Sequence, residues 1–417
     1  MSNQKDQSSK VIVPTLEYLR AIEREQGGSF YLLDTRQFTD NFNELLTTFR
    51  QYYPDTYIAY SYKTNYTPRL CQIVDQLGGY AEVVSGMEYE ITKRLGIATH
   101  KVHFNGPYKD MNAVREIILG GGIVNIDDYS EAPAIIALAE ANPDKTIQIG
   151  LRCNFPINDG ITSRFGLDVT KPDFQQLIHR FEEKGNIRIS GIQCHFATRA
   201  LGTWKPRAEG ICYIVDQMDT MPEHIDLGGG LFGKMKDELK AQFSTTIPTY
   251  EDYAREAATF VANHFRNSEK RPALFIEPGS ALVGDVMKFV APVMSIKDIR
   301  GKAIATLLGS VYNINPTLNG KNPPITVFND QPQQQKEYQH LDFGGYTCIE
   351  GDYLYRDYSG PLAVGDLVVF DNVGSYSVVL KPPFILPNFP IIEWDGETTR
   401  VVKRKETFDD LFKTYVF

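Results

Sequence analysis

The chain has 417 residues, of which 42% are hydrophobic, 23% charged and 12% aromatic, and its formal net charge is −9. That length and balance exclude a single small module and a mainly disordered chain, and roughly one domain per 150 residues predicts two or three domains with a substantial core. The acidic balance, with no run of lysine and arginine interleaved with aromatics, excludes a nucleic-acid partner.

Cys71, Cys153, Cys194, Cys212 and Cys348 are an odd set without a CxxC pair. They fit neither a disulfide framework nor a structural zinc site, which predicts a reducing compartment and no bound metal. The opening MSNQKDQSSK lacks the apolar core of a signal peptide, and no apolar stretch of roughly 18 or more residues follows, so a soluble cytoplasmic protein without membrane contact is expected.

In chain order, the apolar positions Val11, Val13, Leu16, Leu19 and Ile22 open the ordered region. Strands are predicted at 29–34, 56–62, 80–84, 101–106, 123–127, 146–153, 188–195, 224–229 and 273–279, with helical stretches such as 68–77, 87–95, 111–119 and 250–265 between them. Strands alternating with helices are parallel βα units, and about nine strands over some 250 residues match an eight-stranded β/α barrel plus one accessory strand. A doubly wound open sheet is the competing arrangement, but neither GxGxxG nor GxxxxGK[ST] follows an early strand. Past Gly284 short β-like runs appear (KFVAPVMSIKDI, AIATLL, PITVF, LVVFDNV, YSVVL). The expected architecture is α/β: a TIM-like (β/α)8 barrel over 28–283, with a mostly β barrel or sandwich domain from 10–27 and 284–417.

Several polar or glycine-rich clusters close predicted strands, where barrel active sites are built. Lys63 closes YSYK; His195 closes GIQCH and Thr198 follows it; Gly228, Gly229 and Gly230 follow HIDL; Glu277 ends LFIE before a Pro-Gly turn. Each alone has an ordinary structural explanation: a solvated strand-end lysine, a satisfied histidine, a tight glycine turn, a capping carboxylate. Together they meet one chemical need, since pyridoxal phosphate takes a lysine, a phosphate anchor, a group against the ring and a group that sets the charge of the pyridine nitrogen.

From about residue 28 to 385 the motifs resemble, in order, those of the pyridoxal-phosphate decarboxylases with an alanine-racemase-like barrel, which include diaminopimelate, ornithine and carboxynorspermidine decarboxylases. The carrying segments are YSYKTN, AEVVSGMEYE, HFNGPYKD, NIDDYSE, SRFGLD, HFAT, HIDLGGG, FIEPG, TCIEGD and VGSYS. The resemblance implies pyridoxal 5′-phosphate bound as a Schiff base on Lys63, with Glu82 approaching it and Ser85 in the adjoining turn. It places His195 on the ring, Thr198 and Gly228 to Gly230 on the phosphate, Glu277 on the pyridinium nitrogen, Gly279 in the turn beyond, and Tyr376 on the phosphate or ring edge. It makes Cys348 the donor that reprotonates the substrate's α-carbon, contributed with Asp352 across the interface of a homodimer with shared sites.

The substrate side departs from that pattern. Ser280 stands where the family usually has an arginine, LLGSVYNINPTLNGKNPP holds no arginine, and Ile349 follows Cys348 where an acidic residue is usual, with Glu350 one place later. The loop HFATRALGTWKPRAEG brings Arg199, Trp204, Lys205 and Arg207 towards the barrel mouth, where cations and an indole suit an acidic or bulky substrate. The expected reaction is therefore decarboxylation of an amino acid, or the amino-acid moiety of a modified molecule as in natural-product pathways, with Asp352, Glu350 and Arg199 as substrate contacts. The alternatives are an amino-acid racemase of the same fold, a diaminopimelate or ornithine decarboxylase with its ordinary substrate, and a homologue that binds without turnover.

Overall fold

The computed structural model describes residues 14–417; Val11, Val13 and the polar tail lie outside the described residues. The chain divides into two units. One comprises the described residues up to Arg36 with Met287–Val373 and Leu380–Phe417; the other comprises Gln37–Val286 with Gly374–Val379.

The first strand, β1 (Phe30–Asp34), belongs to the former unit. The next strands build the latter: β2 (Thr56–Ser61), β3 (Tyr80–Val83), β4 (Val102–Phe104), β5 (Ile123–Ile126), β6 (Ile147–Asn154), the two-residue β7 (Leu167–Asp168), β8 (Ile187–Gln193), β9 (His224–Asp226) and β10 (Ala273–Ile276). All pair in parallel, in the order β5-β4-β3-β2-β10-β9-β8-β6, and pairing of β5 with β6 closes the ring into an eight-stranded barrel, with β7 added outside β6. The strands are short and almost wholly buried, as expected where one face lines the barrel and the other meets helices. The helices carry the apolar spacing that covers them. In Met111–Leu119, Asp110 caps the first N–H groups, and Ala113, Val114, Ile117 and Ile118 face inward.

Two strand glycines have a steric reason: a Cβ at Gly150 would meet Asn125 Oδ1 at 1.8 Å, and one at Gly191 would meet His224 Nε2 at 2.1 Å. They leave room for polar side chains inside the barrel. At earlier strand positions the interior is filled by the rings of Tyr57, Tyr80, Phe275, His103 and His224, which pack against one another.

The other unit is a mixed sheet. The long β11 (Met287–Ile299) pairs with β1, with β12 (Lys302–Leu307) and with β16 (Leu367–Phe370). β13 (Ile325–Phe328) joins β16, β14 (Lys336–Gly344) and β15 (Tyr353–Leu362) form a hairpin beside β12, and β17 (Ile391–Trp394) links β1 to β18 (Thr399–Lys403). Phe30, Leu32, Val290, Leu367, Val369, Ile392 and Trp394 make its core with Leu19 and Ile22 of the Leu16–Gln26 helix.

Three details differ from the sequence reading. Residues 29–34, placed within the 28–283 bounds of the barrel, pair with β11 and β17 instead, because Phe30 and Leu32 complete that sheet's core. YSVVL is a turn: Tyr376 has φ +65° and its N–H donates to Thr64 O (2.9 Å), tying 374–379 to the end of β2 within the barrel unit. The β14–β15 hairpin was not expected, its strands being polar or tyrosine-rich with no clean alternation of buried and exposed positions.

Candidate active site

Each barrel strand ends by delivering a polar group to the same end of the barrel. Lys63 sits in the short turn Tyr62–Thr64 directly after β2, and its ammonium pairs with Glu82 of β3 and lies 3.4 Å from Ser61 Oγ. Asn105, just past β4, bridges two carboxylates: its Nδ2 donates to Glu82 Oε1 (3.0 Å) and to Glu277 Oε1 (2.5 Å). Asn125 of β5 holds that amide in place by donating to Asn105 Oδ1 (2.7 Å), and Gln193 of β8 donates to Glu277 Oε2 (3.1 Å). Both carboxylates are out of solvent, Glu82 at 0% and Glu277 at 1% exposure.

The electrostatics follow from that burial. Desolvation, with Asp226 and Glu82 nearby, pushes the Glu277 carboxyl well above the usual range, against the pull of Lys63 and the Asn105 hydrogen bond. Glu82 is also desolvated, but the Lys63 charge and hydrogen bonds from Lys63, Ser61 and Asn105 outweigh that and hold it low. For Lys63, burial works against the ammonium and the charges of Glu82 and Glu277 overcome it, so its pKa is raised. Glu88, which accepts the Val84 N–H (2.8 Å), is lifted by burial to about 7. Ser85 caps the Gly86–Leu95 helix on the Glu88 N–H.

His195 is neutral. Its Nδ1 accepts the Gly229 N–H (3.0 Å), and burial followed by the charges of Lys63, Arg152 and Arg207 drives its pKa well below the ordinary value. That hydrogen bond leaves the ring proton on Nε2, so the 3.9 Å approach of Nδ1 to Glu277 is not an ion pair. The glycine turn divides its amides. Gly228 N–H goes to Asp226 Oδ1 (2.8 Å) and Gly229 N–H to His195, whereas Gly230 and Leu231 N–H have no partner among the described residues. A Cβ at Gly229 would meet Glu277 O at 2.5 Å, and one at Gly279 would meet Thr64 Oγ1 at 2.1 Å, so both positions require glycine for close approach.

Lys63, Glu82, His195, Thr198, Gly228, Gly229, Gly230, Glu277, Gly279 and Tyr376 therefore all fall in the barrel unit. Cys348, Glu350 and Asp352 fall in the other, on the turn between β14 and β15. Cys348 and Glu350 are exposed there. Asp352 is buried and both its oxygens are taken: Oδ1 accepts from Ser310 Oγ (3.0 Å) and Val311 N (2.7 Å), Oδ2 from Thr347 Oγ1 (2.5 Å) and Thr347 N (3.3 Å). In the loop after His195, Arg199 is half-buried with its Nη2 3.4 Å from Ser280 Oγ. Trp204 is buried against Tyr253, Arg207 is buried beneath the glycine turn, and Lys205 is exposed beside Glu209.

Sequence reasoning missed Asn105, Asn125, Gln193 and Asp226, and also Arg152, which pairs with Asp127 (2.9 Å) and lies over the Phe165 ring. The signal that was available is polar residues inside otherwise apolar strands. The residues present fit pyridoxal phosphate: a primary amine beside two buried carboxylates, a neutral imidazole, and a glycine cradle with two unspent amides.

The pyridoxal binding domain of the pyridoxal-dependent decarboxylases matches residues 39–284. Diaminopimelate decarboxylase of Methanocaldococcus jannaschii is 25% identical over 92% of this chain and 90% of its own, and the probable chloroplastic diaminopimelate decarboxylase of rice is 26% identical over 93% and 79%. The solved M. jannaschii structure superposes with TM-score 0.85 at 21% identity, covering 95% of this chain and 94% of that one; lysine decarboxylase of Selenomonas ruminantium gives 0.73 at 21% identity over 91% and 96%. With a barrel mouth built for the cofactor and a family match over more than half its length, the chain belongs to the pyridoxal-dependent decarboxylases, carboxy-lyases that work with pyridoxal 5′-phosphate.

Proposed function

We propose that the protein decarboxylates the amino-acid moiety of a modified substrate, with Lys63 as the covalent holder of the cofactor and Cys348 of a second copy as the proton donor. The observation that carries this reading is the cluster of Lys63, Glu82 and Glu277 around one bridging amide, Asn105. Bound there, pyridoxal phosphate supplies a sink for the electron pair left at the substrate's Cα when carbon dioxide departs.

The chain's residues do the rest. Glu277, steadied by Asn105 and Gln193, would face the ring nitrogen and keep a proton there. His195, its Nδ1 tied to the glycine turn, presents a neutral ring with a fixed tautomer, so it adds no cation to the site. Tyr376, anchored through its main chain to Thr64, would border the site beside Lys63. Glu82 holds the Lys63 ammonium before the cofactor is seated and can accept its proton when the amine reacts. The Cys348 thiol gives its proton to Cα and regains one from solvent, completing a balance in which carbon dioxide leaves and a proton replaces it. Because Cys348 stands exposed on a turn, a homodimer that brings it to another copy's barrel is part of the proposal. Asp352, with no free oxygen, shapes that turn and does not contact substrate.

The relatives' name supports a second reading, decarboxylation of diaminopimelate itself. Against it stand Ser280, Ile349 and an arginine-free 307–324 segment, since a site lacking the side chains that bind a distal group discriminates poorly for it. Natural-product pathways in the cytoplasm are the expected setting. Carbon dioxide release from a panel of free diaminopimelate, ornithine, lysine and amino acids with modified distal groups separates the two. Turnover confined to modified members supports the proposal, and rapid turnover of free diaminopimelate or ornithine sinks it; loss of optical rotation without carbon dioxide would indicate a racemase.

A further inference from the structure

Two arginines converge on the glycine turn with no carboxylate partner among the described residues. Arg207, on the Trp204–Asp216 helix, is 0% exposed, and its guanidinium donates to the main-chain carbonyls of Gly229 (2.6 Å), Thr198 (2.9 Å), Phe196 (3.2 Å) and Leu227 (3.4 Å). Carbonyl dipoles take up Nη1 and Nη2 while Nε has no partner among the described residues, and none of these contacts cancels its charge, so a cation is left beneath the turn. In a trans peptide the C=O and N–H point opposite ways, so holding the Gly229 carbonyl towards Arg207 turns the unspent Gly230 N–H to the other side.

Arg199 lies half-buried in the loop from β8. Its Nη2 is 3.4 Å from Ser280 Oγ, its guanidinium is 5.3 Å from the Phe232 ring centre, and its carbonyl accepts the Tyr253 hydroxyl (2.7 Å). The surfaces it joins are in contact. A Cβ at Gly230 would meet Thr198 O at 2.6 Å, and one at Gly233 would meet Ser280 O at 2.9 Å. In a chain of net charge −9, two arginines without carboxylates at one turn mark a place kept for an anion.

We propose that Arg199 binds the cofactor's phosphate across Ser280, and that Arg207 is a positioning residue which aims the Gly230 N–H at the same anion. This rests on the reading of the glycine turn as the phosphate cradle, and it makes Arg199 a cofactor contact where the sequence suggested a substrate contact. The two oxyanions at issue, cofactor phosphate and substrate carboxylate, are distinguished by the arms of the test.

Full-length protein freed of cofactor is titrated with pyridoxal 5′-phosphate and, separately, with pyridoxal, reading tryptophan fluorescence and the visible band. Wild type should prefer the phosphorylated form. Arg199→Gln should lose on the order of ten- to a hundredfold in affinity for it with none lost for pyridoxal, and Arg199→Lys should recover part. Arg207→Lys, which keeps the charge but not the planar fork, should lose roughly tenfold for the phosphorylated form alone. Should Arg207→Lys fail to fold, competition by inorganic phosphate decides: it should displace pyridoxal phosphate from wild type and much less effectively from Arg199→Gln. Unchanged affinity in Arg199→Gln, equal losses for both ligands, or a raised KM for an acidic substrate with cofactor affinity intact would each overturn the proposal. Wild type binding both ligands equally would instead overturn the cradle reading.

Discussion

The barrel mouth and the Cys348 turn are built on opposite principles. At the mouth, Lys63, Glu82, Asn105 and Glu277 come from four strands and bond to one another, so their positions are set by the barrel itself. On the turn, Asp352 spends every acceptor on its own neighbours while Cys348 stands out in solvent. The mouth is thus self-contained, and under the proposed mechanism the Cys348 turn acts only on a second copy. Substitutions at the mouth should change colour and turnover together; substitutions on the turn should separate them.

The largest effect is expected at Lys63. Lys63→Ala should abolish the visible band of the bound cofactor and lower kcat by more than about a thousandfold, since it removes the amine paired with Glu82; absorbance and carbon dioxide release measure both. Next, Cys348→Ala should keep the wild-type band and lose on the order of a hundred- to a thousandfold in kcat, as for removal of a general acid. Asp352→Ala should leave the barrel's band intact and destabilise the turn by about 2–3 kcal/mol, because four donors lose their acceptor. Denaturant midpoints followed by near-ultraviolet circular dichroism read that loss.

A smaller and purely structural effect sharpens the contrast from the barrel side. Burial, with His103 beside it, lowers His224 from 6.5 to about 3. Its folded pKa lies below its unfolded one, so the associated stability is present above pH 6.5 and is lost as pH falls towards 3. Between pH 7 and pH 5 the loss is about 2 kcal/mol, and His224→Gln should show a shallower fall over that range in chemical denaturation. An unchanged slope would remove His224 from the account.

Much of this mouth was legible in the sequence, because lysine, histidine, glutamate and glycines at the ends of apolar strands are local signals. The amide framework was not. Asn105 and Asn125 stand inside the HFNGPYKD and NIDDYSE segments and Gln193 inside GIQCH, but nothing local marks them as partners of the carboxylates, and Asn105 reaches Glu277 across 172 residues of chain, a proximity that exists only once the barrel closes. Arg207 likewise sits on an ordinary amphipathic helix, and its bond to the glycine turn arises only in the folded barrel. The 29–34 strand fits a barrel rhythm by spacing, yet it is claimed by the other sheet through pairing with β11 and β17. The polar β14–β15 hairpin is held by main-chain pairing that composition does not report.

The central claim is that Lys63 is the cofactor's attachment point, held beside Glu82 and Glu277. Treatment of the coloured protein with borohydride, followed by digestion and mass spectrometry, tests it directly. The account predicts a phosphopyridoxyl mass on the peptide containing Lys63 and on no other lysine peptide in stoichiometric amount; an unmodified Lys63 in fully reduced protein, or stoichiometric label elsewhere, would contradict it.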